Sequence, residues 1–222
     1  MTPMIEVNGL TKKYGKTMVL DDCSFVVPAG RLTALIGKSG SGKTTLLNVA
    51  GGVLRPEQGR IVVDGQDIAC MSDRQRSDFR ARHVGFVFQD FSLLEDYTVL
   101  ENICLVAGFS HKPVNETRLN DLLVRLELDS LQDKLPAEIS GGEKQRTALA
   151  RALLTEPDVI LADEPTGNLD RLSGQTVFSL LKECSRVYGQ TIVMVTHDLE
   201  LAKQCDLVLE LIDGKVIPYG SG

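Results

Sequence analysis

The run Gly37-Lys38-Ser39-Gly40-Ser41-Gly42-Lys43-Thr44 fits the pattern G-x-x-x-x-G-K-[ST] without a mismatch. Glycines at these places let the backbone curl so that successive N–H groups point at phosphate oxygens. A helix starting behind the loop adds a favourable dipole for an anion. Lys43 would reach the β- and γ-phosphates of a nucleotide, and the Thr44 hydroxyl would bind Mg²⁺.

A second group of candidates lies at the ends of apolar runs. Val159-Ile160-Leu161-Ala162 leads straight into Asp163-Glu164. A buried parallel strand delivers its last residues to the ligand crevice of an α/β sheet. Strand neighbours point to opposite sides, so the two carboxylates are expected to do different work. Asp163 would hold Mg²⁺, directly or through water, and Glu164 would orient and deprotonate an attacking water. His197 follows the run Ile192 to Val195, which would bring it near the γ-phosphate. Gln89 follows Val87-Phe88 and could ligate Mg²⁺ or the water through its amide oxygen.

A third feature is a second anion site. Ser140-Gly141-Gly142-Glu143 precedes an alanine- and leucine-rich stretch to Leu154. Small residues at a helix start leave free N–H groups. The turn has no lysine in phosphate-loop register, and simple helix capping by Ser140 reads equally well.

The elements that must position these residues alternate in type. Ile5 to Val7, Val19 to Val27 and Leu32 to Ile36 read as strands, with turn chemistry at Pro28-Ala29-Gly30. Gly59 to Val63 followed by Asp64-Gly65 reads as a strand and a hairpin turn. Leu119, Leu122, Leu123 and Leu126 fall at the spacing of one buried helix face, as do Val177, Leu180, Leu181 and Cys184. A last hairpin is expected at Asp213-Gly214. Strands alternating with helices argue for a mostly parallel sheet covered on both faces, with the middle helices as an insertion.

Composition bounds the answer. The chain has 222 residues, 24 Lys plus Arg against 30 Asp plus Glu, and a formal charge of −6. Its hydrophobic fraction of 43% excludes a mainly disordered chain. The acidic balance argues against wrapping nucleic acid. Arg74, Arg76, Arg80 and Arg82 are interrupted by Asp73 and Asp78, which suits a solvated helix face. No apolar run reaches the length of a membrane span, and Met1 to Leu10 lacks the pattern of a signal peptide. Cys23, Cys70, Cys104, Cys184 and Cys205 are widely spaced and read as buried thiols. His83, His111 and His197 pair with no ligand-spaced cysteine.

Taken in order, the phosphate loop, Gln89, Ser140 to Glu143, Asp163-Glu164, Asp170 and His197 resemble the nucleotide-binding subunits of ABC transporters over essentially the whole chain. The resemblance implies a P-loop NTPase (RecA-like) core, an N-terminal antiparallel β subdomain and an inserted helical subdomain. The lobes would divide at about residues 1–89 with 156–222 for the core and 90–155 for the helical insertion. It implies ATP and Mg²⁺ as ligands, with Tyr14 stacking on adenine, residues 37–44 and Thr45 on the phosphates, and Thr44, Gln89 and Asp163 on the metal. Glu164 and His197 would be catalytic. Ser140, Gly141, Gly142 and Glu143 would cap the ATP of a second copy in a head-to-tail dimer, and Asp170 would signal across it.

Two departures stand out. The family signature Leu-Ser-Gly-Gly-Gln is Ile139-Ser140-Gly141-Gly142-Glu143 here. The stretch Asp163 to Asp170, DEPTGNLD, is similar to the branch of lipoprotein-releasing, macrolide-efflux, bacitracin-resistance and cell-division ATPases. That branch implies a separate membrane permease with large extracytoplasmic regions, and a cytoplasmic position on the inner face of the membrane. It favours export, extraction or mechanotransmission over import. Phe91, Leu93 and Leu94, in the segment Asp90 to Tyr97, would be exposed contacts for that permease or would pack inside the helical lobe. The alternative is a soluble ABC-type ATPase acting on nucleic acid or ribosomes. Against it stand one cassette per chain and no sustained heptads between Thr44 and Ser140.

Overall fold

The computed structural model describes residues 2–110 and 113–220. Met1, His111 and the last two residues therefore lie outside the described residues, together with what was expected of them. In chain order the elements are β1 (Pro3–Tyr14), β2 (Thr17–Pro28), β3 (Leu32–Ile36), α1 (Lys43–Ala50), β4 (Gln58–Val63), β5 (Gln66–Asp67), α2 (Asp73–His83), β6 (Val84–Val87), α3 (Val99–Ser110), α4 (Glu116–Arg125), a 3₁₀ turn at Pro136–Glu138, α5 (Gly141–Leu154), β7 (Val159–Asp163), α6 (Arg171–Tyr188), β8 (Thr191–Val195), α7 (Leu199–Ala202), β9 (Leu207–Ile212) and β10 (Lys215–Pro218).

Two sheets carry the fold. The larger has the order β10-β9-β3-β8-β7-β6, parallel throughout except for the β9–β10 hairpin. Strands β3 and β8 are buried at every position, as continuous apolar runs in a parallel sheet require. The smaller sheet, β2-β1-β4-β5, is antiparallel. One apolar cluster joins it to α1 and to Leu35, Leu161 and Val193 of the large sheet. A second cluster joins Leu32, Ile160 and Met194 to α3, α4, α5 and α6. The large sheet is thus covered on both faces, and the inserted helices share its core.

The apolar periodicity of α4 is buried as expected, with Leu126 packing as its C-terminal cap residue. Two expectations need correction, and one left open is decided. Cys70 is exposed, while Cys23 and Cys184 are buried and all five thiols are free. The arginines of α2 do not form one solvated face. Arg76 is buried and paired to Asp73 at 2.5 Å, and Arg80 donates to the Gly52 carbonyl at 2.7 Å, leaving only Arg74 and Arg82 exposed. Phe91 and Leu93 are half-buried, and only Leu94 of the three is exposed. Among the described residues no helix is long and apolar enough to cross a membrane.

Candidate active site

The phosphate loop runs from the C-terminal end of β3 into α1. Gly37, Gly40 and Gly42 all have positive φ, at 151°, 75° and 103°. Two of them are needed for space as well as conformation. A Cβ on Gly37 would stand 2.7 Å from the Leu211 carbonyl oxygen, and one on Gly42 would stand 2.6 Å from Val19 Cγ1. Helix α1 begins at Gly42 with no side-chain cap, so its first N–H groups keep their hydrogen-bonding capacity. Lys43, only 7% exposed, curls back over the loop, and its Nζ donates to the carbonyls of Gly37 and Lys38 at 3.0 Å each. Ser41 Oγ is buried without a hydrogen-bond partner. An uncapped helix start, an orphaned hydroxyl and an anchored ammonium fit the phosphates of a nucleotide. The loop opens onto a hollow of about 650 Å³, whose other wall includes Thr17, Met18 and Val19 at the start of β2.

Strand β7 is paired between β6 and β8 and brings Asp163 to the same rim. The Asp163 carboxylate accepts a hydrogen bond from Thr44. Burial pushes its acidity down, and Glu164 beside it adds to that, so its pKa is raised. A desolvated carboxylate bonded to the loop threonine fits a hard cation with oxygen ligands. Glu164 lies one residue past β7, at φ 45°, with its backbone N–H donating to Val195 O at 3.1 Å. The separation of the two carboxylates therefore comes from a left-handed turn that ends the strand, not from strand alternation. That turn aims Glu164 across the end of β8, where its Oε2 lies 3.2 Å from His197 Nδ1.

Gln89 and Asp170 are placed by other partners. Gln89 Nε2 donates to Asn168 Oδ1 at 3.1 Å, and Asn168 Nδ2 donates back to the Gln89 carbonyl at 2.9 Å. Gly167 makes this approach possible, since a Cβ there would stand 2.9 Å from Gln89 Nε2. Asp170 caps α6, accepting from the N–H groups of Leu172 and Ser173 and from the Ser173 hydroxyl at 2.6 Å. Those bonds hold its carboxyl below the usual range.

Ser140 caps α5 in a capping box with Glu143, so the capping function read from the sequence is present. Gly141 and Gly142 face Leu169 and Ser173 respectively, which leaves the helix start against the Asn168–Asp170 loop. Within the chain Ser140 and Glu143 hydrogen-bond to one another, and among the described residues no bond joins them to the phosphate loop. Tyr14 closes β1 opposite Thr17, with a ring 51% exposed and Lys12 Nζ 5.7 Å from its centroid.

Sequence reasoning missed Asn168 as the partner of Gln89. It also missed Arg151, whose guanidinium donates to the carbonyls of Ser92 at 2.6 Å and Phe91 at 3.0 Å. Both of those residues have positive φ, so Arg151 holds a strained segment just after Gln89. The Ser-x-x-Glu spacing announced the cap on α5, whereas no local pattern announces contacts between residues about 60 to 80 positions apart.

A parallel sheet with a glycine-rich loop after β3, an acidic pair at the end of β7 and a histidine after β8 defines a P-loop nucleotide hydrolase. The chain belongs to the ABC transporter family, whose model matches residues 20–167, and is one of its ATP-hydrolysing cassettes. It is 40% identical to the lipoprotein-releasing system ATP-binding protein LolD of Bacteroides fragilis, over 96% of this chain and 100% of that protein. It is also 40% identical to the macrolide export ATP-binding/permease protein MacB of Escherichia coli, over the whole chain but only 35% of MacB. The chain thus spans about a third of MacB. The structure matches the ATP-binding cassette MJ0796, solved as a dimer in a post-hydrolysis state bound to ADP and Pi, with a TM-score of 0.86 and 34% identity over 96% of each chain.

Proposed function

We propose that this chain is the ATP-driven subunit of a membrane transporter, working as a head-to-tail pair beside a separate permease. The carrying observation is the split site. Lys43, Thr44, Asp163, Glu164 and His197 gather at one rim, while Ser140 to Glu143 lie elsewhere on the same chain. A second copy in opposite orientation would bring its Ser140 over the first copy's phosphate loop. Adenine would stack on Tyr14, and Gly37 to Thr45 would hold the phosphates.

Thr44, Asp163 and Gln89 would hold Mg²⁺, which supplies charge neutralisation at the β- and γ-phosphates. Gln89 would leave Asn168 to do so. Glu164 would accept the proton of the attacking water, with His197 fixing the carboxylate and the γ-phosphate position. Catalysis would be mostly positioning and charge stabilisation. Asp170, at the start of α6 and next to Gly142's neighbour Ser173, would carry the partner's state into the chain.

The helical lobe would be residues of about 90–155. Between it and the core lies a groove of about 450 Å³, walled by Val53, Arg80, Phe86, Val106, Phe109 and Arg151. Ser92 lines it too, so the segment following Gln89 borders the groove. A cytoplasmic helix of the permease would dock there. The relatives named for lipoprotein release and macrolide export support export or extraction. The chain would then sit on the inner face of the membrane, beside a permease bearing large extracytoplasmic regions.

The test uses Glu164→Gln. The variant should bind ATP, lose turnover, and retain a stoichiometric multi-span membrane protein when recovered with ATP from solubilised native membranes. Wild-type turnover by the variant would refute Glu164 as the base, and recovery of soluble partners alone would refute the transporter role.

A further inference from the structure

The turn that opens α5 carries a carboxylate where the family pattern has an amide. Ser140 has two hydrogen-bond donors, its backbone N–H and its hydroxyl. Both go to one atom: Glu143 Oε2 lies 2.7 Å from Ser140 N and 2.8 Å from Ser140 Oγ. The hydroxyl oxygen in turn accepts from the Glu143 backbone N–H at 3.3 Å. A serine hydroxyl has a single proton to give, so in this arrangement Ser140 has no donor left for a phosphate. The bonds from Ser140, with Arg146 adding its charge, hold the Glu143 carboxyl below its ordinary range. It is therefore an anion resting on donors that another anion would use.

We propose that Glu143 is a positioning residue that competes with the partner subunit's ATP for Ser140, and so sets how readily two copies close on nucleotide. This rests on the reading of Ser140 as a contact in trans. On closure the Ser140 N–H and hydroxyl leave Glu143 Oε2 for an oxygen of the γ-phosphate, and only hydrogen bonds change hands. The released carboxylate then sits beside a polyanion, which adds repulsion to the loss of its donors. Glutamine at this position would keep the capping box, since its amide oxygen accepts the same N–H. As a neutral acceptor it would release Ser140 more easily, because hydrogen bonds to an ionised group are about twice as strong.

The experiment uses the full chain in a Glu164→Gln background with saturating Mg-ATP, and follows dimer formation by sedimentation over a range of protein concentrations. Glu143→Gln should lower the midpoint of dimerisation at least about tenfold, the gap between charge-assisted and neutral hydrogen bonds. ATP affinity of the dilute monomer should stay within roughly twofold, because the competition acts only on closure. In a Ser140→Ala background that gain should shrink, because the hydroxyl is gone while the backbone N–H still exchanges Glu143 for phosphate, and a purely structural role for Glu143 would leave the gain unchanged. An unchanged or raised midpoint, or a gain undiminished by Ser140→Ala, would overturn the proposal. A parent that fails to dimerise with ATP would instead refute the head-to-tail reading on which it rests.

Discussion

Two glycines of the phosphate loop separate backbone conformation from space. Gly37 and Gly40 both have positive φ, but only Gly37 is hemmed in. An added Cβ would meet the Leu211 carbonyl oxygen at 2.7 Å and Ser41 Oγ at 2.9 Å, whereas nothing lies within 4 Å of one on Gly40. The Ser41 side chain can turn away. Leu211 is held in β9 by its pairing with Val216 of β10, so its carbonyl has little room to yield. For Gly37→Ala the strained φ costs about 1–3 kcal/mol, and the forced contact adds about 1–3 kcal/mol. The expected loss is therefore roughly 2–6 kcal/mol, against about 1–2 kcal/mol for Gly40→Ala, which bears only the left-handed penalty. In a chain of this size 1 kcal/mol shifts Tm by about 2–4 °C.

Thermal unfolding of the two variants side by side is the assay, with ATP titration as its companion. Gly37→Ala should melt clearly below Gly40→Ala and lose more ATP affinity, because the Gly37 carbonyl also anchors Lys43. Variants that melt within about 2 °C of each other would refute the claim that β9 clamps the loop.

Two further outcomes are expected. Tyr14→Ala should weaken ATP binding by about 1–3 kcal/mol, the range for base–aromatic stacking. Inorganic triphosphate should be unaffected and Tyr14→Phe should bind normally, and equal losses for ATP and triphosphate would place Tyr14 on the phosphates. Asp163→Asn should abolish Mg²⁺-dependent hydrolysis yet raise the Tm of the nucleotide-free protein at neutral pH. The sign follows from burial: the folded pKa of Asp163 lies above its unfolded value, so its contribution to stability is present at low pH and is lost as pH rises through the folded pKa. Thermal scans across acid and neutral pH should show the variant's advantage only on the alkaline side of that transition.

The sequence carried those parts of the fold whose cause is local. Leu32 to Ile36 is bounded by turn glycines, and β3 has those same ends. The end of β7 at Asp163 and the hairpin at Asp213-Gly214 were equally legible. Helix α2 has no apolar period and is announced only by Ser72 and Gln75, which form its capping box. The strand-alternation argument for Asp163 and Glu164 fails because backbone sterics at the strand end, with the Glu164 N–H bound to Val195, replace the pleat by a left-handed turn. Pairings such as Gln89 with Asn168, or Arg151 with Phe91 and Ser92, depend on how distant elements dock. Periodicity and turn chemistry hold no record of them. The same limit would apply to the proposed site shared between two copies, because one chain by itself holds only its own loop and its own capping turn.

The most direct test of that two-copy site mixes two inactive chains. Lys43→Ala disables a phosphate loop and Ser140→Arg disables a capping turn, each in its own chain. In a head-to-tail pair of the two, one site would combine the intact loop of the Ser140 variant with the intact turn of the Lys43 variant. ATP hydrolysis by the 1:1 mixture should recover to on the order of a quarter of wild type, since half the pairs are mixed and each has one whole site. A mixture as inactive as its separate components would contradict a site shared between two copies.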